Sequence, residues 1–198
     1  MSLNFHPIDE LAPANIVMTR FDNLAKGCRE NADIIALSPQ ALDGCDLLIV
    51  TGANMTQAQE ILMRCRINLC PVLFIANPSN DDHIARTVAS NIKAKLVSKT
   101  MPDNLDVADL RLFSDPSAHL FAFSSLDSAV DFLRANSRAN ISAALLLAHG
   151  QIDVNQYQQA NEQIAAELPS HCSFYSSVHA AGEGECSVLF CVTSQQSI

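Results

Sequence analysis

Carboxylates recur every three residues, with an amide beside them, in Asp103-Asn104-Leu105-Asp106-Val107-Ala108-Asp109. Oxygen donors at this spacing can polarise a water molecule or hold a hydrated divalent cation. The same residue types also cap helices, where an Asp or Asn oxygen accepts from the free amides of the first turn. Capping is the commoner use, and the spacing fits both. The segment from Asp103 to Asp109 is therefore the candidate site, with Asp103 to Asp106 capping a short helix as its plainer reading and no catalytic role assigned from spacing.

Other sets carry less chemistry. Asp81-Asp82-His83 has metal-ligating types, but an acidic helix start explains it better. His149 ends an apolar run and reads as a satisfied strand-end residue rather than a base. His171 and His179 flank one strand, too far apart to share a metal. The seven cysteines (28, 45, 65, 70, 172, 186 and 191) include no Cys-x-x-Cys pair, and four lie in apolar stretches. Reduced core thiols are expected, because zinc ligation needs other spacings. Cys186 and Cys191 are placed at the core of the last strand. No metal and no cofactor is expected.

What is missing is equally informative. A dinucleotide site needs Gly-x-Gly-x-x-Gly after the first strand, so that main-chain amides approach a pyrophosphate. Here Arg20-Phe21-Asp22-Asn23 fills that place, and no Walker loop, nucleophile elbow or His-Glu-x-x-His occurs. Six glycines in 198 residues leave few phosphate cradles. A binding or assembly component fits this inventory better than an enzyme.

Composition narrows the partners. With 21 acidic against 12 basic side chains the formal net charge is −9 and the pI about 4.9. Nucleic-acid backbones and bare anionic membranes select clustered Lys and Arg, and no such run exists. Hydrophobic residues make up 48% and charged residues 17%, with a mean hydropathy of +0.13, which describes a globular core rather than disorder. So little charge leaves apolar surface for a protein partner. Runs such as 47–50 and 143–148 are too short to cross a bilayer, and residues 1–14 lack the cationic and apolar parts of a signal peptide. A cytoplasmic protein is expected.

The elements that would position these residues follow from periodicity. Apolar runs at 15–19, 33–37, 46–51 and 71–76 suit parallel strands covered on both faces. Between the third and fourth, 55–68 sets Ala58, Ile61, Leu62 and Cys65 on one helical face, completing a βαβ unit. A longer helix begins at 80–82, with Ile84, Val88, Ile92 and Leu96 four apart and Ala85 and Ala89 beside them. Lys93, Lys95 and Lys99 enrich its last turns, and Pro102 ends it. Beyond lie strands at 120–124 and 143–148 around a helix at 128–135. A helix at 153–168 carries Tyr157, Ala160, Ile164 and Leu168 on one side and stops at Pro169. Strands at 172–179 and 186–193 are expected to close the chain as a hairpin through Gly182-Glu183-Gly184.

The stretch Asn104-Leu105-Asp106-Val107-Ala108-Asp109-Leu110 resembles the loop that FtsZ, the bacterial tubulin homologue, carries after its central helix, where the pattern is Asn-x-Asp-x-x-Asp. Upstream, Ile92-Lys93-Ala94-Lys95-Leu96-Val97 followed by Pro102 is similar to the end of that helix. Downstream, 143–151 followed by Ile152-Asp153-Val154-Asn155-Gln156-Tyr157 resembles a strand and helix entry of the family's C-terminal domain, and the closing pair of strands resembles its last two. The first half is less similar, through Ile34-Ile35-Ala36-Leu37 with Gln40-Ala41-Leu42 and through Asp46-Leu47-Leu48-Ile49-Val50. Where the family continues Gly-Gly-Gly-Thr-Gly-Thr-Gly, this chain reads Thr51-Gly52-Ala53-Asn54-Met55-Thr56-Gln57.

The resemblance implies a reduced tubulin/FtsZ-like α/β fold. A Rossmann-like half, 1–99, would include the central helix, and a smaller α+β half would span 100–198. In FtsZ the nucleotide sits on one subunit and the aspartate loop of the next completes the hydrolytic site. By that resemblance Asn104, Asp106 and Asp109 are the loop, while the phosphate-binding positions correspond to nothing here. The implied function is that of a pseudo-GTPase acting by protein contacts, with FtsZ or a second copy as partner, capping or modulating a cell-division filament. The alternatives are a weak nucleotide hydrolase using Asp106 and Asp109, and a free-standing homo-oligomer.

Overall fold

The computed structural model describes residues 14–21, 42–98, 105–136 and 141–193. Along the chain they form β1 (Ile16–Arg20), β2 (Leu47–Thr51), α1 (Met55–Ile67), β3 (Val72–Ala76), α2 (Asp82–Ser98) and the single-turn α3 (Val107–Leu110). A 3-10 turn (Arg111–Phe113) leads into β4 (Ala118–Phe123), α4 (Leu126–Ala135), β5 (Ile141–His149), α5 (Val154–Glu167), β6 (Ser173–His179) and β7 (Cys186–Thr193). The α/β class expected from the sequence is the class observed. The strand expected at 33–37 lies outside the described residues.

Seven strands make one curled sheet in the order β1-β2-β3-β4-β7-β5-β6. Strands β1 to β4 pair in parallel, as do β5 and β6, and β7 runs antiparallel to both its neighbours. Hence β1 to β6 all point the same way, and the sheet has one edge of strand starts and one of strand ends. Side-chain alternation splits the core in two. Leu47, Ile49, Leu73, Ile75, Leu120, Leu145 and Leu189 face α2, while Leu48, Val50 and Val72 meet α1 and Phe123, Leu146 and Phe190 meet α4 and α5.

Helix α2 is held on its side of the sheet by Ala85, Val88, Ala89, Ile92 and Leu96, all buried. Complete burial of each larger aliphatic is worth about 1.5–3 kcal/mol relative to exposure. Its start is fixed by Asp81, whose Oδ1 accepts from the amides of His83 (2.9 Å) and Ile84 (3.3 Å). Asp81 therefore serves as a cap, in agreement with the acidic-start reading. The curl lets α2 reach both flanks: Ser90 Oγ lies 4.0 Å from Met18 Sδ of β1, and Asn91 Nδ2 donates to Ser187 Oγ of β7 at 3.0 Å.

One expectation fails. Strands β6 and β7 are not a hairpin, because β5 lies between them. The connection steps over the end of β5, with the Gly182 amide donating to His179 O at 2.9 Å and His149 Nδ1 lying 3.1 Å from Gly184 O. Each glycine has its own reason. A Cβ on Gly182 would fall on the His149 ring, whereas Gly184 needs its φ of +87°. A short, glycine-bearing link between two strand-like runs is the usual hairpin signal, but β7 gains more by filling the gap between β4 and β5, where both its ladders are satisfied.

The crossovers differ in hand. Helices α1, α4 and α5 join parallel strands that advance across the sheet in one direction, over one face. The β3–β4 connection advances the same way over the opposite face, where α2, α3 and Phe113 pack, so its hand is opposite. Parallel crossovers within a unit are almost always of one hand. The β3–β4 ladder is also the shortest, two residue pairs, Ile75–Leu120 and Ala76–Phe121.

Candidate functional site

Asp106 is the N-cap of α3, and the cap is reciprocal. Asp106 Oδ1 accepts from the Asp109 amide and Asp109 Oδ2 accepts from the Asp106 amide, each at 3.0 Å. The single turn is too short to stand alone. It is anchored by Leu105, Leu110 and Phe113, all buried, with Phe113 packed on Tyr175 at a ring separation of 6.4 Å. Asp106 is exposed and Asp109 half-buried. Each carboxylate spends one oxygen on the cap, and its other oxygen has no hydrogen bond among the described residues. Capping thus coexists with an outward-facing acidic surface. Asn104 lies outside the described residues.

This segment sits at the strand-start edge, since Arg111 and Ser114 share a cavity wall with Cys70, Pro71 and Val72 where β3 begins. The strand-end edge of β2 and β3 is where open α/β sheets place their ligands. Here the turn after β2 is closed. Gly52 has φ +73°, and a Cβ there would collide with the Phe21 carbonyl oxygen. Phe21 is buried and its amide donates to Thr51 O at 2.9 Å, so the chain after β1 is packed directly on the turn after β2. At the start of α1, Asn54 Oδ1 accepts from the Gln57 amide and Gln57 Oε1 from the Asn54 amide, both at 2.9 Å. Two of the donors that would receive a phosphate at a helix start are therefore taken by the helix's own side chains. The cavity beside them, bounded by Gly52, Ala53, Phe74, Asn77, Asn80 and Asp82, measures about 170 Å³. Small-molecule sites usually run to about 300–1,000 Å³, a size that the adjoining cavity of about 580 Å³, walled by Asn77, Pro78, Ser79, Phe123 and Phe132, does reach.

Asn77 ties this edge together. Its Oδ1 accepts from the amides of Ser79 (3.0 Å) and Asp81 (3.3 Å), and its Nδ2 donates to Ala122 O of β4 at 2.9 Å. Helix α2 starts here. Its 17 residues span about 25 Å at 1.5 Å per residue. The acidic surface and the closed helix start lie on opposite edges, with β3 and α2 between them.

A buried polar cluster, invisible to motif reading, lies under α2. Asn91, Lys95, Ser177, His179 and Ser187 are buried beside His149. Asn91 is fully engaged, with Nδ2 donating to Glu183 O at 2.9 Å and Oδ1 accepting from the Glu183 amide at 3.0 Å. Lys95, one of the expected last-turn cations, is completely buried. His149 and His179 meet edge to face with centroids 6.2 Å apart. Burial holds both imidazoles below their ordinary range, and Lys95 adds to the effect on His179. His149 is half of what its sequence position suggested: Nδ1 has a partner, while Nε2 is buried without one among the described residues. The one sequence signal was the four-residue step from Asn91 to Lys95 on the face that also carries Val88 and Ile92. His171 ends outside this cluster, on an exposed turn. Among the described residues no three His, Cys, Asp or Glu side chains are grouped to hold a metal, and no helix is long and apolar enough to cross a membrane.

No protein-family model matches the sequence, and no curated protein matches it either. Solved structures are similar in fold. FtsZ from M. jannaschii, as an empty dimer, gives a TM-score of 0.48 at 13% identity, over 80% of this chain and 59% of that one. CetZ from Methanosaeta thermophila gives 0.47 at 13%, over 92% and 62%. CetZ1 from Haloferax volcanii, a GDP-bound monomer, gives 0.40 at 7%, over 76% and 56%. This chain spans about three fifths of the length of each of them.

Proposed function

We propose that this protein is an FtsZ-like pseudo-GTPase that works by protein contact, its Asp106–Asp109 surface docking on the nucleotide face of a polymerising FtsZ subunit. The observation that carries the reading is the asymmetry of the two edges. One presents an acidic surface with spare carboxylate oxygens; the other has its helix-start donors closed by Asn54, Gln57 and the packed Phe21. A subunit of this kind joins a filament at one edge and offers no nucleotide face at the other, so it caps growth. The opposite-hand connection and the two-pair ladder between β3 and β4 support two joined units, 1–99 and 100–198.

Light scattering of polymerising FtsZ with sub-stoichiometric amounts of this protein tests the reading. The expected result is a lower plateau that is restored by Asp106→Asn with Asp109→Asn. An unchanged signal together with no binding removes capping. Self-association is favoured by one separate observation, the exposed Met55, Met63 and Ile67 on the outer side of α1. Light scattering after size-exclusion chromatography reports it, and a monomer across the micromolar range rejects it.

A further inference from the structure

We propose that Cys65 and Cys70 form a redox-active thiol pair, a modification site at which a hydroperoxide converts the two thiols to a disulfide. The pair is assembled by the way α1 ends. The Cys70 amide donates to Cys65 O at 3.1 Å and the Leu69 amide to Arg66 O at 3.4 Å, with Leu69 at φ +53°. These are the two bonds and the left-handed residue of a Schellman cap, a motif that brings the side chains of its first and last residues together. Here both of those residues are cysteines. Leucine is strained in the left-handed region, and Leu69 is 89% exposed, so its own packing does not offset that strain.

Cys65, Cys70 and Cys45 are buried in one cluster of the core, where Cys70 Sγ lies 3.5 Å from Pro71 O and Cys45 Sγ 3.3 Å from Leu47 O. Cys65 and Cys70 also line an open cavity of about 610 Å³ whose wall includes Arg66 and Arg111. Guanidinium groups favour a nearby thiolate, and the volume admits a small peroxide. The neighbouring Cys70 thiol holds the Cys65 thiol below its ordinary range, while Cys45 is pushed up by Cys70 and by burial. Cys65 is thus the attacking sulfur, Cys70 the resolving one and Cys45 a spectator.

The Cys65 thiolate attacks the distal peroxide oxygen, the O–O bond breaks, and an alcohol leaves with a proton. The sulfenic acid that remains is attacked by Cys70 sulfur, which forms the S–S bond and expels water. Two thiols and one hydroperoxide give one disulfide, one alcohol and one water. The two electrons come from sulfur, and both thiol protons end in the products.

The test treats the folded, reduced full chain with excess tert-butyl hydroperoxide, then counts free thiols and maps disulfides by peptide mass spectrometry. Thiols should fall from seven to five, with Cys65 and Cys70 joined in one peptide link and the loss reversed by dithiothreitol. Cys45→Ser should give the same link. Cys70→Ser should stop at a Cys65 sulfenic acid trapped by dimedone, which keeps the proposal testable if Cys65→Ser fails to fold. Oxidation of the exposed Met55 and Met63 in the same sample shows that the peroxide reached the protein. Seven surviving thiols in a sample with oxidised methionines, or a disulfide between any other pair, overturns the proposal.

Discussion

The starts of α1 and α3 are built on one motif and differ in charge. Each is a reciprocal cap in which the N-cap side chain serves the amide three residues on and is served in return. At α1 the partners are Asn54 and Gln57, neutral, on a helix of 13 residues. At α3 they are Asp106 and Asp109, both acidic, on a helix of four. A neutral pair would satisfy the same amides at α3. Like charges one turn apart cost a few tenths of a kcal/mol, and a single turn has little dipole to offset them. Closing amides and presenting charge are thus separable tasks. The strand-end edge does the first, and the strand-start edge does both.

The comparison is open to breakage by experiment. Phe113→Ala is expected to have the largest effect, about 3–5 kcal/mol lost in urea unfolding, since Phe113 anchors the acidic turn to the core. A loss below about 1 kcal/mol would mean that the turn is not welded to the sheet. At the other edge Gly52→Ala should cost about 1–3 kcal/mol, because it meets both the positive φ and the Phe21 carbonyl. Gly150→Ala is the control, with φ +72° and open space around it, and should cost only about 1 kcal/mol. Equal losses at 52 and 150 would dissolve the argument that Phe21 seals the β2 turn.

Acid should weaken the strand-end edge. Burial holds His149 and His179 low in the folded state, so the unfolded chain binds protons first as pH falls. Their contribution is complete above the unfolded value of about 6.5 and is lost as pH drops from there towards the folded values. The slope is at most about 1.4 kcal/mol per pH unit for each histidine. Urea midpoints from pH 7.5 to 5 should decline, less steeply in His149→Gln, and a flat profile contradicts burial of neutral imidazoles. Asp106→Asn keeps the cap, so thermal unfolding should move by less than about 0.5 kcal/mol, whereas Asp106→Ala should cost about 1 kcal/mol. If Asn also costs a full cap, the charge belongs to stability and not to a partner.

Much of this was legible in the residues. The four-residue steps of Ile84, Val88, Ile92 and Leu96 gave α2 its buried face, and the continuous runs at 47–51 and 72–76 gave strands covered on both sides. A cap at Asp106 could be read from the residue types, whereas its reciprocal partner Asp109 could not. Other features left no such trace. The insertion of β7 depends on which strands lack a neighbour after the sheet has curled, and that is a property of the assembled sheet. The thiol pair escaped because the left-handed residue of the cap is Leu69, where glycine would have announced the end of α1. Lys95 read as a last-turn cation because nothing local shows that the sheet wraps round its helix.

The placement of β7 has a consequence for synthesis on the ribosome. Strands β4 and β5 emerge earlier, yet the strand that bonds to both is made after β6. Until it arrives, two apolar strand flanks wait without partners inside the second half, open to pairing with other nascent chains. The protein should therefore depend on chaperone shielding late in translation, and truncation before Cys186 should release an aggregating chain instead of a smaller folded one.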